Sequence, residues 1–198
     1  LFFLMSILSH AGISFYNIND MFGVSIRETA STCMDDYGFV WVSSKTGIMR
    51  LTDDDVRIYQ LPYDSPNVQA VRLVYNTPDL YAYTNNGQIF LYNRVFDRFD
   101  LLVNIGQQLY DKYFTVNGFL IDGQNRFWMS SSQGLVKYEK GKASVIPNLP
   151  AVINIGKYSS TEFFLAGFSG LYLFNTESQK ADRKIVEFPE NSIMVSKL

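Results

Sequence analysis

Apolar side chains along this chain fall in short runs separated by glycine and polar residues, and no stretch of useful length repeats at helical spacing. The segment from Asp35 to Arg50 shows the pattern most fully. Asp35, Asp36 and Gly38 make a turn-prone opening, and Phe39-Val40-Trp41-Val42 is an apolar run. Ser43 to Gly47 then turn the chain into Ile48-Met49-Arg50-Leu51. Strand, glycine-ended turn and strand predict a hairpin. A second copy runs from Asp122 to Tyr138, with Trp128 and Gly134 in the places of Trp41 and Gly47.

The turn glycine serves as a ruler for internal repeats. Gly47, Gly87, Gly134 and Gly170 are separated by steps of 40, 47 and 36 residues. Six residues before each stands an aromatic: Trp41, Tyr81, Trp128 and Phe164. Two and four residues after each come Met49/Leu51, Ile89/Leu91, Val136/Tyr138 and Tyr172/Phe174. Positions two apart share one face of a strand, so every copy offers the same buried stripe. Each glycine supplies the positive φ of a tight turn, and Asp35 and Asp122 can bond nearby amides to hold the turn before it.

Further β-prone runs flank each hairpin. Thr29–Met34, Val71–Tyr75, Phe114–Ile121 and Val152–Tyr158 precede them; Val56–Leu61, Phe96–Val103, Ala143–Ile146 and Ile185–Phe188 follow. Four short strands, A to D, in each unit of about forty residues predict an all-β fold, a β-propeller of four four-stranded blades. The blades span about 29–66, 67–110, 111–149 and 150–190 within a propeller region 29–198, after a lead-in strand or turn at 12–28. Both faces of a blade meet neighbours, so strand B need not alternate cleanly: Phe39 and Trp41 share one face, Val40 and Val42 the other. Solenoid repeats are shorter and bring asparagine or glycine ladders that this chain lacks.

Composition agrees. Aromatic residues at 16% and charged residues at 18% suit a well-buried β protein better than a disordered one. With 17 basic and 19 acidic residues and no basic block, the chain has no electrostatic footprint for nucleic acid. Lys180 to Lys184 read as a solvated turn. Cys33 is the sole cysteine, which leaves no internal disulfide and predicts a packed, inert thiol on an inner strand. Leu1 to Leu8 are too short to span a bilayer but fit the apolar core of a secretory signal. Ser9 and Ala11 suit cleavage after Ala11, making 1–11 a signal-peptide remnant; a buried first strand is the alternative. Without an initiator Met, the chain reads as part of a longer frame truncated at its front.

Candidate chemistry is narrow. His10 is the sole histidine, so Ser-His-Asp and Cys-His pairs are excluded once the signal is cut. Asp53-Asp54-Asp55 lack the glycine and distal glutamate of a calcium loop and read as an exposed C–D turn. Neither metal nor cofactor is predicted. Carboxylates distant in sequence can still meet at a propeller mouth, though none is singled out. Strand A lines the shaft of a propeller, so residues at its entrance are the candidate ligand contacts. These are Arg27, Glu28, Gln69, Arg72, Lys112, Tyr113, Asn117 and Asn154, with ordinary solvated loop residues as the competing reading. Trp41 and Trp128 could serve as sugar platforms, but their place in the repeat assigns them to blade cores.

The motif Asp35-x-x-Gly38-x-Val40-Trp41-x-x-Ser44-x-x-Gly47-Ile48 resembles the propeller repeat of two-component regulators, found in periplasmic sensor regions of Bacteroides-type hybrid histidine kinases. Asp122 to Leu135 match again, with Asn125 in place of a glycine; the second and fourth units keep only the aromatic and the glycine. Phe15 and Gly23-Val24-Ser25 resemble the lead-in of such sensors. The resemblance implies four blades of an incomplete, open part of a seven-bladed ring, located in the periplasm. It also implies an oligosaccharide ligand, a homodimeric receptor, and membrane and kinase parts lying beyond this chain. In that setting the segment senses and is not itself an enzyme. The alternatives are a propeller lyase acting on a glycan or cyclic peptide, and a protein-interaction propeller. An open arc would leave the last blade's outward face uncovered, an association hazard.

Overall fold

The computed structural model describes residues 17–24, 28–44, 47–62 and 70–187, without the side chains of 182 and 183. Four antiparallel sheets follow one another in chain order. Blade 1 holds β1 (Ser31–Met34), β2 (Val40–Ser44), β3 (Gly47–Leu51) and β4 (Val56–Tyr59). Blade 2 holds β5 (Val71–Asn76), β6 (Asp79–Thr84), β7 (Gln88–Asn93) and β8 (Arg98–Asn104). Blade 3 holds β9 (Val116–Ile121), β10 (Phe127–Ser131), β11 (Gly134–Glu139) and β12 (Lys142–Val145). Blade 4 holds β13 (Val152–Lys157), β14 (Glu162–Gly167), β15 (Gly170–Asn175) and β16 (Lys180–Glu187). In every sheet the strands lie in sequence order, and β1 touches β5, β5 touches β9, and β9 touches β13. The first strands therefore gather about a common shaft, as β-propeller blades do.

Three hydrophobic clusters fill the three seams between blades. Trp41, Ile48 and Tyr59 of blade 1 pack on Leu73, Phe90 and Phe99 of blade 2. Tyr81 and Ile89 of blade 2 pack on Phe119, Phe127 and Val136 of blade 3, and Trp128 and Leu135 of blade 3 on Phe163 and Phe174 of blade 4. Each ruler aromatic thus faces the next blade. Phe164 occupies the fourth such place and is only half-buried, with Tyr158 against its ring at 5.0 Å between centroids. The cause is positional: among the described residues no blade packs on that face. At the other end of the arc Met34, Val40 and Ile58 are exposed, while Val42 and Met49 between them are buried, so that face is not bare throughout.

Three expectations shift. Within the 12–28 lead-in, read as a strand or turn, Ile18–Phe22 form a one-turn helix, α1. Asn17 Oδ1 accepts from Asn19 N at its start, and Gly23, at φ 62°, ends it. Lys180 to Lys184 belong to β16 and not to a turn. An outermost strand packs on one side only along its edge, so charged residues fit there. Phe114 precedes β9, following a second one-turn helix, α2 (Ile105–Gln108). Its ring is buried beneath the Gly87 turn.

That packing gives a prediction for the turn glycines. Gly87 (φ +86°) has no room for a side chain, because a Cβ would lie 2.8 Å from the Phe114 ring, whereas at Gly134 (φ +98°) a Cβ would meet nothing within 4 Å. Gly134→Ala is expected to cost about 1 kcal/mol from backbone strain alone. Gly87→Ala should cost about 2–3 kcal/mol or more, since core displacement adds to the strain. Urea midpoints of the two variants check the order; equal losses would mean that Phe114 yields freely.

Candidate functional site

Two residues beyond each ruler aromatic, strand B is paired with strand A near the shaft mouth. The four pairs are Ser31 with Ser43, Arg72 with Tyr83, Gly118 with Ser130, and Asn154 with Ala166. Their chemistry differs from seam to seam. Ser31 and Ser43 join hydroxyls at 2.8 Å; Ser43 donates to the Val71 carbonyl at 2.9 Å, and Leu73 N donates to Ser31 Oγ at 2.7 Å. At the next seam Arg72 Nη1 donates across it to the Asn117 carbonyl at 2.5 Å. Burial pushes the Tyr83 phenol up, against the opposing hydrogen bond and charge of Arg72. At the third seam glycine replaces the first serine. A Cβ on Gly118 would lie 2.6 Å from Asn154 Oδ1, so the missing side chain makes room for that carboxamide. Asn154 Oδ1 accepts from Ile155 N at 2.9 Å, the service Ser31 performs for Leu73. Ser130, the counterpart of Ser43, is fully buried, and its hydroxyl has no hydrogen-bond partner among the described residues.

Of these paired residues Arg72, Tyr83, Gly118 and Asn154 line a cavity of about 750 Å³ at the shaft mouth. Of the candidate contacts, Arg72, Asn117 and Asn154 line it, together with Thr29, Ala30, Ala70, Tyr83, Asn85, Val116, Gly118, Phe119, Ile153 and Ile155. Glu28, Lys112 and Tyr113 do not line it; Lys112 Nζ instead sits 5.7 Å from the exposed Tyr113 ring, and Glu28 is exposed. Arg27 and Gln69 lie outside the described residues. Asn85 belongs to the site although the sequence pointed only to its turn. Its Oδ1 accepts from Ala70 N at 3.1 Å and its carbonyl from Val116 N at 2.8 Å, which ties that turn to two strand entrances. The signal was available in principle, because the end of strand B must lie beside the start of strand A in an antiparallel pair. With one guanidinium and three carboxamides, and neither carboxylate nor imidazole among the described lining residues, the cavity is equipped to hydrogen-bond a polar ligand.

The opposite end of the blades carries structural charge. Asp35 Oδ1 accepts from Tyr37 N and Phe39 N, and its Oδ2 from the Trp41 indole at 3.0 Å. Asp122 repeats this with Gln124 N, Arg126 N and the Trp128 indole at 2.8 Å. Both aspartates thus hold their turns as the repeat predicts, and both tryptophans are core residues with no exposed ring face. Between blades 1 and 2, Asp97 gathers Tyr59 Oη at 2.7 Å, Tyr92 Oη, Arg50 and Arg57. Burial works to raise its carboxyl, but the two phenols and two guanidinium groups outweigh it and hold it below the ordinary range. Burial also pushes the Cys33 thiol up to about 11, helped by the Asp35 charge, which leaves it protonated and unreactive at neutral pH. Asp55 N bonds Thr52 Oγ1 at 2.9 Å in an exposed C–D turn, as read from the sequence. Among the described residues no three of His, Cys, Asp and Glu converge as a metal site would require, and no helix is long and apolar enough to cross a membrane.

No protein-family model matches the sequence, and no curated protein matches it. Solved structures do. The extracellular domain of the hybrid two-component system BT3049 from B. thetaiotaomicron is 15% identical, with a TM-score of 0.58 over 84% of this chain and 25% of that one. The extracellular domain of the one-component system BT4673 from the same organism gives 15% identity and a TM-score of 0.62 over 78% of this chain and 22% of that one. Virginiamycin B lyase from Staphylococcus aureus gives 14% and 0.61 over 77% of this chain and 54% of the enzyme. The chain thus spans about a quarter of the sensor domains and about half of the lyase. At these identities the likeness establishes the β-propeller fold.

Proposed function

We propose that this chain is a ligand-recognition segment of an extracytoplasmic sensor propeller, and that the shaft-mouth cavity binds an oligosaccharide. The observation that carries the reading is the cavity's lining: Arg72, Asn85, Asn117 and Asn154 present a guanidinium and carboxamides between apolar walls. Such groups match sugar hydroxyls, which both donate and accept. The likeness to extracellular domains of Bacteroides signalling systems supports the sensing role. In this reading the blades are part of a larger ring in a periplasmic, homodimeric receptor, whose membrane and kinase parts lie outside this chain.

A glycan array probed with the labelled chain tests this. Binding to a defined set of oligosaccharides is expected, and Gly118→Ala should abolish it. The new Cβ meets the flexible end of Asn154 first, so it displaces that side chain into the shaft at small cost to stability. Array hits that survive Gly118→Ala, or no hits at all, would sink the reading. The likeness to a lyase favours a second outcome to watch for, an elimination product appearing in a glycan or cyclic-peptide mixture.

A further inference from the structure

We infer that the shaft cavity selects a ligand bearing a carboxylate, an acidic rather than a neutral sugar, and that Arg72 is the residue that receives it. The inference rests on the shaft being the ligand site. Among the described residues Arg72 is the only charged side chain in the cavity lining, and no described aspartate or glutamate there offsets it. The other arginines with described side chains behave differently. Arg50, Arg57, Arg94, Arg98 and Arg126 each form an ion pair with a carboxylate, whereas Arg72 forms none among the described residues. Its neighbours are instead the Asn117 carbonyl and the Tyr83 phenol, which orient the guanidinium without neutralising it.

A half-buried guanidinium that is positioned but unpaired is a receptor for an anion. A carboxylate on a ligand that enters the shaft meets Arg72 beside the Asn117 carbonyl that orients it.

Calorimetry on the 198-residue chain decides the matter. The probes are trigalacturonate, its neutral counterpart trigalactose, and sodium sulfate, compared at equal ionic strength. Trigalacturonate is expected to bind about tenfold tighter than trigalactose or better, as a charge-assisted hydrogen bond allows. Arg72→Gln should erase the preference, and Arg72→Lys should restore only part of it. Urea midpoints of both variants verify that they are folded. The inference is overturned if no acidic probe binds, if the preference survives Arg72→Gln, or if sulfate alone competes as well as trigalacturonate. Should trigalactose bind equally well and be lost in Gly118→Ala, the shaft reading stands and only the acidic selectivity fails.

Discussion

Truncating Trp128 to alanine is expected to destabilise the chain by about 3–5 kcal/mol, whereas Phe164→Ala should cost only about 1–2 kcal/mol. The two residues hold the same place in their repeats. Trp128 is fully buried at the seam between blades 3 and 4, with the rings of Phe163 and Phe174 centred 6.0 and 5.2 Å away and its indole N–H on Asp122. Removing it opens a cavity and leaves the carboxylate without one donor. Phe164 has its outer face free of any described blade, so its removal exposes little that was covered. Urea unfolding of the two variants measures the difference. Equal losses would mean that the Phe164 face is covered in solution, and a chain with a further blade on that face should show such equality.

Asp122→Asn should also be costly, at about 2–4 kcal/mol, because it breaks a buried ion pair and leaves the Arg126 guanidinium only its contact with the half-exposed Glu177. The carboxylate is fully buried and Arg126 nearly so, with Nε 2.6 Å from Oδ2. An asparagine turns an N–H toward the indole and guanidinium that the second oxygen now accepts. Burial pulls the Asp122 carboxyl upward, but the Trp128 indole, the Arg126 amide and guanidinium and the Gln124 amide together hold it below the ordinary aspartate range. A group depressed on folding contributes fully above its unfolded value, and the contribution is lost as pH falls through the folded value. Wild-type stability should therefore fall as the pH drops below about 4, and Asp122→Asn should flatten that limb. Urea midpoints between about pH 2 and pH 7 give the comparison. Identical slopes in the two proteins would show that Asp122 is not the group responsible.

The repeat was legible in the sequence because its causes are local. A positive-φ glycine, an aspartate that caps its own turn amides, and residues two apart on a strand all act within one hairpin. Gly47, Gly87, Gly134 and Gly170 therefore located every B–C turn, and the ruler aromatics located every seam. Lys180 to Lys184 were misplaced for the same reason: charge density suggests solvent, and solvent is available to an outermost strand as well as to a turn. At the shaft, strand-A position put Arg72, Asn117 and Asn154 on the cavity wall and Lys112, Tyr113 and Glu28 off it, because nearness to a strand's first residue does not fix the direction of a side chain.

What the sequence alone determined is the blade: four strands, their order, and the residues that face the next blade. Only the tertiary structure decided what the seams contain. Whether Ser43 finds the Val71 carbonyl, whether Asn154 fills the space Gly118 leaves, and whether Arg72 meets a carbonyl in place of a carboxylate all depend on pairs lying 28 to 45 residues apart, or on a bulge in β13. Hydrogen bonds and charge pairing are set to within a fraction of an ångström by the packing of neighbouring blades, and that geometry has no local signature in the chain.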